Sequence, residues 1–269
     1  MATEGGRVTD RQALVDSLVD VSIEAGLAIL EIYEGEIATR VKDDKSPVTD
    51  ADERAEEIIL KRLAEVAGDI PVVAEESVAA GSIPDISGGT FFLVDPLDGT
   101  REFINRNGEF TVNIALIENG QPTLGVVHLS ALGQTYWSRG AGDAWRRDGD
   151  GAAVAVTARA APDTGLVVVA SRSHRDSATD DYLADFDVAD LVSAGSSLKL
   201  CRVAEGAADM YPRLGRTMEW DIAAGHAVLA GAGGSITVIA GGDVAGDVGR
   251  PLGYGKPGFE NPFFVARGN

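Results

Sequence analysis

Apolar positions recur at helical spacing in the first third of the chain. Leu14, Leu18, Val21, Ala25, Ala28 and Ile32 fall on one stripe, which predicts a long helix starting near Thr9. Thr9 followed by Gln12 reads as a capping box at its start. A second stripe of Ala55, Ile58, Ile59 and Leu63 predicts a helix from near Thr49, with Asp52 in its first turn. The period then changes. "PVVAEES" and "TFFLVD" are short apolar runs that read as strands entering acidic turns. "FTVNIALIENGQPTLGVVHL" reads as two strands joined around Asn119-Gly120, a strong hairpin signal. "GQTYWSRG" and "GDAWRRDG" extend this into a meander. Further on, strand and helix patterns alternate: "GLVVVAS", "DDYLADF", "ADLVSAG", "SSLKLCRVAEGA", "ADMYPRL", "WDIAAGHAVLAGAGG", "SITVI". That is an α/β pattern. The polar, glycine-rich "RRDGDGAAV" marks the change, so an α+β part over 1–155 and an α/β part over 156–269 are expected. There is no internal repeat and no low-complexity tract.

Composition narrows the function classes. The chain has 269 residues, 45% apolar and 24% charged, as expected of a globular protein with a real core. Its net charge of −19 argues against a nucleic-acid polymer as partner, because phosphates would be repelled. Any site for an anionic small molecule must then be locally positive. The one cysteine, Cys201, excludes an intrachain disulfide and fits a reducing compartment. The N-terminus is polar, without the apolar core of a signal peptide, and no apolar run reaches the ~18 residues of a membrane span. A cytoplasmic protein is expected.

The candidate chemistry centres on "LVDPLDGTREF", residues 93–103. A strand delivers Asp95, Pro96 fixes the backbone, and Gly99 permits a tight turn that folds Asp98 back beside Asp95. Two carboxylates held together repel, and a divalent cation removes the conflict. Oxygen-only ligands suit a hard ion such as Mg²⁺. The alternative is an Asp-rich turn at a strand end. Glu75 and Glu76 also follow an apolar run, and Asp221 opens a helix. Each has a structural alternative, an exposed acidic turn or a helix-dipole partner. Four apolar elements ending in carboxylates are harder to attribute to coincidence.

"EES" (75–77), "DPLDGT" (95–100) and "WDIAAG" (220–225), in that order and at those distances, resemble the signature motifs of the inositol monophosphatase superfamily of Mg²⁺-dependent, Li⁺-sensitive phosphomonoesterases. Within it the chain looks most like the CysQ-type 3′(2′),5′-bisphosphate nucleotidases. That finer match rests on "LVDPLDGTREFINRNGEFTVNIALIENG", "SRSH" (171–174), "GSSLKLCRVAEGAADMYPRLGRTMEWDIAAGHAV" (195–228) and the closing "NPFFV". Residues 1 to 45 match only weakly. The resemblance implies a layered α-β-α-β-α sandwich with the site between its two parts.

By the same resemblance, Glu75, Asp95 and the Leu97 carbonyl hold one Mg²⁺. Asp95, Asp98 and Asp221 hold a second, and Glu75 reaches a third, weakly held ion through water. Thr100 and Asp52 activate the attacking water. The Gly99 and Thr100 N–H groups cradle phosphoryl oxygens, and a side chain at Gly99 would block that approach. His174, Ser196, Lys199 and Arg213 contact a small nucleotide bisphosphate and the phosphate that is not cleaved; Ser196 and Ser197 also read as caps of a helix. Arg172 and Arg216 are further basic candidates, and either Lys42 or Lys45 lies near the metals. Trp220 is expected to pack behind Asp221, His128 and His226 to be structural, and Cys201 to be core. The implied reaction is removal of the 3′-phosphate of adenosine 3′,5′-bisphosphate in sulfur assimilation, with Li⁺ as inhibitor. Alternatives are an inositol- or sugar-phosphate phosphatase, or a fold that binds and no longer catalyses. The resemblance leaves open monomer or homodimer, and peripheral contact with the inner membrane.

Overall fold

A computed structural model describes residues 3, 4, 7, 8, 10–35, 37–41, 47–171, 177–242 and 246–269. Two short hairpins lie near the start, β1 (Thr3–Glu4) with β2 (Arg7–Val8) and β3 (Thr39–Val41) with β4 (Pro47–Thr49). The first long helix is α1 (Arg11–Tyr33), and the second is α2 (Asp50–Ala67). The cap of α1 is Asp10, whose carboxylate accepts from the Ala13 N–H, and the Thr9 expected there lies outside the described residues. Thr49 caps α2, and the Asp52 side chain closes the capping box by accepting from the Thr49 N–H.

A seven-stranded sheet follows, made of β5 (Val72–Ala74), β6 (Thr90–Asp98), β7 (Thr111–Glu118), β8 (Gln121–Leu129), β9 (Gln134–Gly140), β10 (Asp143–Asp148) and β11 (Val154–Ala155). Its spatial order is the chain order reversed, as a meander requires, and only β5 and β6 run parallel. Asn119 and Gly120 both take positive φ between β7 and β8, the backbone twist that a two-residue hairpin needs. The helices α3 (Glu75–Ala79) and α4 (Thr100–Ile104) are single turns at the ends of β5 and β6.

The second sheet has five strands, β12 (Leu166–Ser171), β13 (Val188–Ala194), β14 (Met210–Arg213), β15 (Ser235–Val238) and β16 (Phe264–Arg267), in the order β13-β12-β14-β16-β15. Its helices are α5 (Ser177–Leu183), α6 (Leu198–Ala204) and α7 (Glu219–Gly231).

Three apolar clusters explain the layering. The first gathers α1, α2 and one face of the large sheet, through residues such as Leu18, Ile59, Phe92 and Ile114. The second lies between the two sheets and takes in α6 and α7, with Leu93, Val127, Leu200, Val228 and Phe264. The third packs Leu183 of α5 and its neighbour Phe186 against Val168 and Met210 on the outer face of the small sheet. Five layers result, α-β-α-β-α. Helix α7 is buried at nearly every position, as a helix between two sheets must be. It sits so close to β8 that a Cβ on Gly125 would come within 2.6 Å of the Ala224 carbonyl oxygen and the Ala227 Cβ. That contact fixes the height of α7, and with it Asp221, against the large sheet.

Candidate active site

A single irregularity in β6 brings the two aspartates together. Side chains three apart on a regular strand point to opposite faces. Here Asp95 pairs with Asn113 and Asp98 with Thr111, so three steps on β6 oppose two on β7. The extra residue is a β-bulge, and Pro96, which has no N–H to contribute, sits inside it. The bulge resets the alternation, and Asp95, Asp98, Thr111 and Asn113 share one face. Gly99 then turns the chain at φ 91°, and α4 begins. A Cβ on Gly99 would stand 3.2 Å from the Ser196 Cβ and 3.4 Å from the Glu109 carbonyl oxygen, so the turn needs glycine for its φ and for its space.

A cavity of about 1000 Å³ opens here, between the C-terminal ends of β5 and β6 and the segments before α6 and α7. Glu75, Asp98, Gly99, Thr100 and Asp221 line it, together with Ser196, Lys199 and Arg213. Asp95, Asp52 and Leu97 are buried behind this lining. The Thr100 hydroxyl lies 3.3 Å from Asp52 Oδ1 and 3.4 Å from the Leu97 carbonyl oxygen, while Asp52 Oδ2 accepts from the Thr49 N–H and hydroxyl. Asp52 is thereby held with one oxygen toward Thr100.

The acids strain against one another. Burial drives Asp95 well above the usual carboxylate range, and the charges of Glu75, Asp98, Asp221 and Asp52 add to the effect. Asp221 touches the cavity but is surrounded closely enough for desolvation to raise it too, with Asp98 and Glu75 contributing. Among the described residues, no group of three acid, histidine or cysteine side chains already stands ready to hold a metal ion. Asp95 Oδ1 accepts from the Leu97 N–H at 3.0 Å, Asp221 Oδ2 from the Met218 N–H at 2.9 Å, and Asp98 Oδ2 from the Ser196 hydroxyl at 2.7 Å. Each carboxylate has one oxygen committed to protein. The donor set nonetheless fits a hard cation: it is oxygen-only, desolvated and mutually repulsive. Mg²⁺ keeps much of its own water and takes few carboxylates plus substrate phosphate.

The basic side differs in character. Lys199 is buried, its ammonium donates to the Ser196 carbonyl at 2.6 Å, and it lies 5.5 Å from the Tyr211 ring centroid. Burial pulls its pKa down to about 8, with Asp98 opposing and Arg213 reinforcing that fall. Arg213 donates to the Arg216 carbonyl, and its buried Nε has no partner among the described residues. Arg216 is exposed at the rim and pairs with Glu260. His174, Arg172, Lys42 and Lys45 lie outside the described residues.

One expectation is corrected. Ser196 and Ser197 do not cap α6 with their side chains. Ser196 takes a left-handed φ of 50° and turns its hydroxyl to Asp98 and Thr111. Ser197 donates to the Asp221 carbonyl at 2.8 Å. Tertiary partners outcompete the local N–H groups.

Several functional supports escape sequence reasoning. Asn113 donates to Ser197 at 3.0 Å and reaches Asp98 at 3.4 Å, tying the acid loop of the large sheet to the segment before α6. Its signal is a lone amide in the apolar run "FTVNIALI". Glu109 accepts from the Gly195 N–H, and buried Glu219 accepts from the Gly255 and Lys256 N–H groups beside the start of α7. Glu56 holds α3. Trp220 is buried against Phe259 and holds α7 next to Asp221. His128 bonds Thr135 and His226 bonds the Tyr254 hydroxyl, and burial lowers both to about 4, which keeps them neutral. Cys201 is core, and burial pushes its thiol up.

Five layers around a cleft that joins an oxygen-only acidic donor set with a buried lysine and a half-buried arginine define a metal-dependent phosphatase architecture. The chain belongs to the inositol monophosphatase family, whose model matches residues 10–261. It is 42% identical over 254 residues to 3′(2′),5′-bisphosphate nucleotidase CysQ of Shigella flexneri, covering 93% of this chain and 98% of that one. The CysQ of Escherichia coli K12 matches over the same shares at 42% identity. The crystal structure of CysQ from Bacteroides thetaiotaomicron superposes with a TM-score of 0.77 at 37% identity, covering 96% of this chain and 97% of that one. The inositol monophosphatase of Anabaena, at 22% identity and a TM-score of 0.72 over 95% of this chain and 90% of its own, shares the fold.

Proposed function

We propose that the chain is a Mg²⁺-dependent phosphatase that removes the 3′-phosphate of adenosine 3′,5′-bisphosphate, yielding AMP and phosphate. The observation that carries this reading is that one cavity is lined both by an acidic cluster and by a buried lysine and an arginine whose Nε has no partner among the described residues. A substrate with one phosphate to be cleaved and one to be held suits both sets of groups. Likeness to the CysQ proteins over nearly the whole of both chains supports it.

In this reading Glu75, Asp95 and the Leu97 carbonyl would hold one Mg²⁺, Asp95, Asp98 and Asp221 would hold a second, and Glu75 would reach a third. Bound Mg²⁺ supplies Lewis acidity that makes the attacking water more acidic and stabilises the departing ester oxygen. The Thr100 hydroxyl orients the water, and Asp52 accepts the Thr100 proton as the water gives up its own. The Gly99 and Thr100 N–H groups receive phosphoryl oxygens. His174, Ser196, Lys199 and Arg213 take the nucleotide and its retained phosphate. A phosphate beside Lys199 favours the charge that burial disfavours, so substrate binding and lysine protonation reinforce each other. The division at about residue 155 then has a functional meaning: the first part carries most metal ligands, and the second carries Asp221 and the substrate groups.

No helix among the described residues is long and apolar enough to cross a membrane. A small soluble substrate fits a cytoplasmic role in sulfur assimilation, where the enzyme clears an inhibitory by-product. The test is phosphate release from adenosine 3′,5′-bisphosphate. It should cease with a chelator, return with Mg²⁺ and fall again with Li⁺, which would take a Mg²⁺ position. Release that continues unchanged in the chelator would contradict the metal assignment.

A further inference from the structure

Helix α3 begins with a metal ligand in the reading above and has no cap of its own. Its N-cap residue is Ala74, whose side chain offers no acceptor to the first-turn N–H groups. Glu56, twenty residues upstream on α2, supplies one. Its Oε2 accepts from the Glu76 N–H at 2.8 Å, and its Oε1 accepts from the Ser77 N–H at 2.8 Å and the Ser77 hydroxyl at 2.6 Å. Glu56 is 5% exposed. A carboxylate that deep is costly to bury unless its oxygens are satisfied, and three donors satisfy it. The donors belong to the two residues that follow Glu75, so this clamp fixes the backbone from which Glu75 projects.

The placement on α2 adds a second point. Glu56 lies one helical turn after Asp52, on the same inward face, and Asp52 is 2% exposed. Glu53 and Glu57, on the other face, are exposed. One rigid helix therefore addresses both halves of the first-sheet site: Asp52 reaches Thr100, and Glu56 reaches the Glu75 segment. The spacing between them is set by the α2 backbone and the Ala51, Ala55 and Ile59 core beneath it.

We infer that Glu56 is a positioning residue that caps α3 from a distance and presets Glu75 for Mg²⁺. The inference rests on the metal assignment proposed above. Groups that orient metal ligands typically change metal affinity by about tenfold to a hundredfold when removed.

The experiment is a Mg²⁺ titration of the full chain without substrate, read as the rise in melting temperature. Glu56→Gln keeps size and shape but sets an amide N–H against a backbone N–H. It should raise the half-saturating Mg²⁺ concentration about tenfold or more. Glu57→Gln, one position along on the exposed face, should leave it unchanged. A wild-type chain that takes up no Mg²⁺ would remove the metal assignment and the inference with it. Wild-type uptake with an unaltered E56Q midpoint would overturn the inference alone, even if the metal-free melting temperature fell, because a purely structural role predicts that pattern. Should E56Q not fold, Ser77→Ala removes one of the three bonds, and an unshifted Mg²⁺ midpoint in that variant would overturn the inference equally.

Discussion

Asp98→Asn should lower turnover of adenosine 3′,5′-bisphosphate at least about a hundredfold, a barrier increase on the order of 3 kcal/mol. The substitution keeps the shape of the side chain and leaves an oxygen to accept from the Ser196 hydroxyl, so the fold around the bulge should persist. What it removes is one negative charge beside Asp95 and Asp221, and that charge helps to hold both above the usual carboxylate range. The variant should therefore melt higher than wild type without metal, at a pH where the acids would otherwise be forced to ionise together. It should also gain less from added Mg²⁺. The sign follows from linkage: a carboxylate raised in the folded state opposes folding once pH climbs through its folded value. Loss of turnover with a lower metal-free melting temperature would indicate damage to the fold. Near-normal turnover would remove Asp98 from the site.

Arg213→Ala should raise KM for the bisphosphate about tenfold to a hundredfold, the scale of one charge-assisted hydrogen bond pair removed. KM for a simple phosphomonoester, such as p-nitrophenyl phosphate, should move little. Arg213 ends β14 in the lining of the cavity that holds the acids, is half-buried, and keeps a buried Nε with no partner among the described residues. Its neighbour Lys199 is already disfavoured as a cation, and Arg213 is one cause. Two crowded positive groups are tolerated where an anion is to come between them. Removing Arg213 should accordingly let the Lys199 pKa rise, so the loss in the variant comes from a missing contact and not from a neutral lysine. An equal rise in KM for both substrates would mean that Arg213 does not read the second phosphate.

The parts of the site legible in the sequence are those built from contiguous residues. Asp95, Pro96, Asp98 and Gly99 announce a turn and a paired carboxylate, because bulge, turn and acids lie within five positions. Asn119-Gly120 announces its hairpin for the same reason, and Thr49 with Asp52 announces the start of α2. Supports that act across the fold are not legible. Glu56 looks like one more acid in "DADERAEEI", and only the packing of α2 under α3 shows that it faces inward. Ser196 and Ser197 look like caps because serines before a helix usually are. Their hydroxyls instead find Asp98 and the Asp221 carbonyl, 98 and 24 positions away. Helix α7 is apolar all round, which says that it is covered on every side and not which sheets cover it.

The most direct test compares phosphate release from adenosine 3′,5′-bisphosphate, inositol 1-phosphate and AMP under the same Mg²⁺ concentration. The site described here, with its second anion wall of Lys199 and Arg213, predicts rapid release from the bisphosphate, slow release from inositol 1-phosphate and none from AMP. Equal or faster release from inositol 1-phosphate would preserve the metal chemistry and contradict the assignment of the basic wall to a second phosphate.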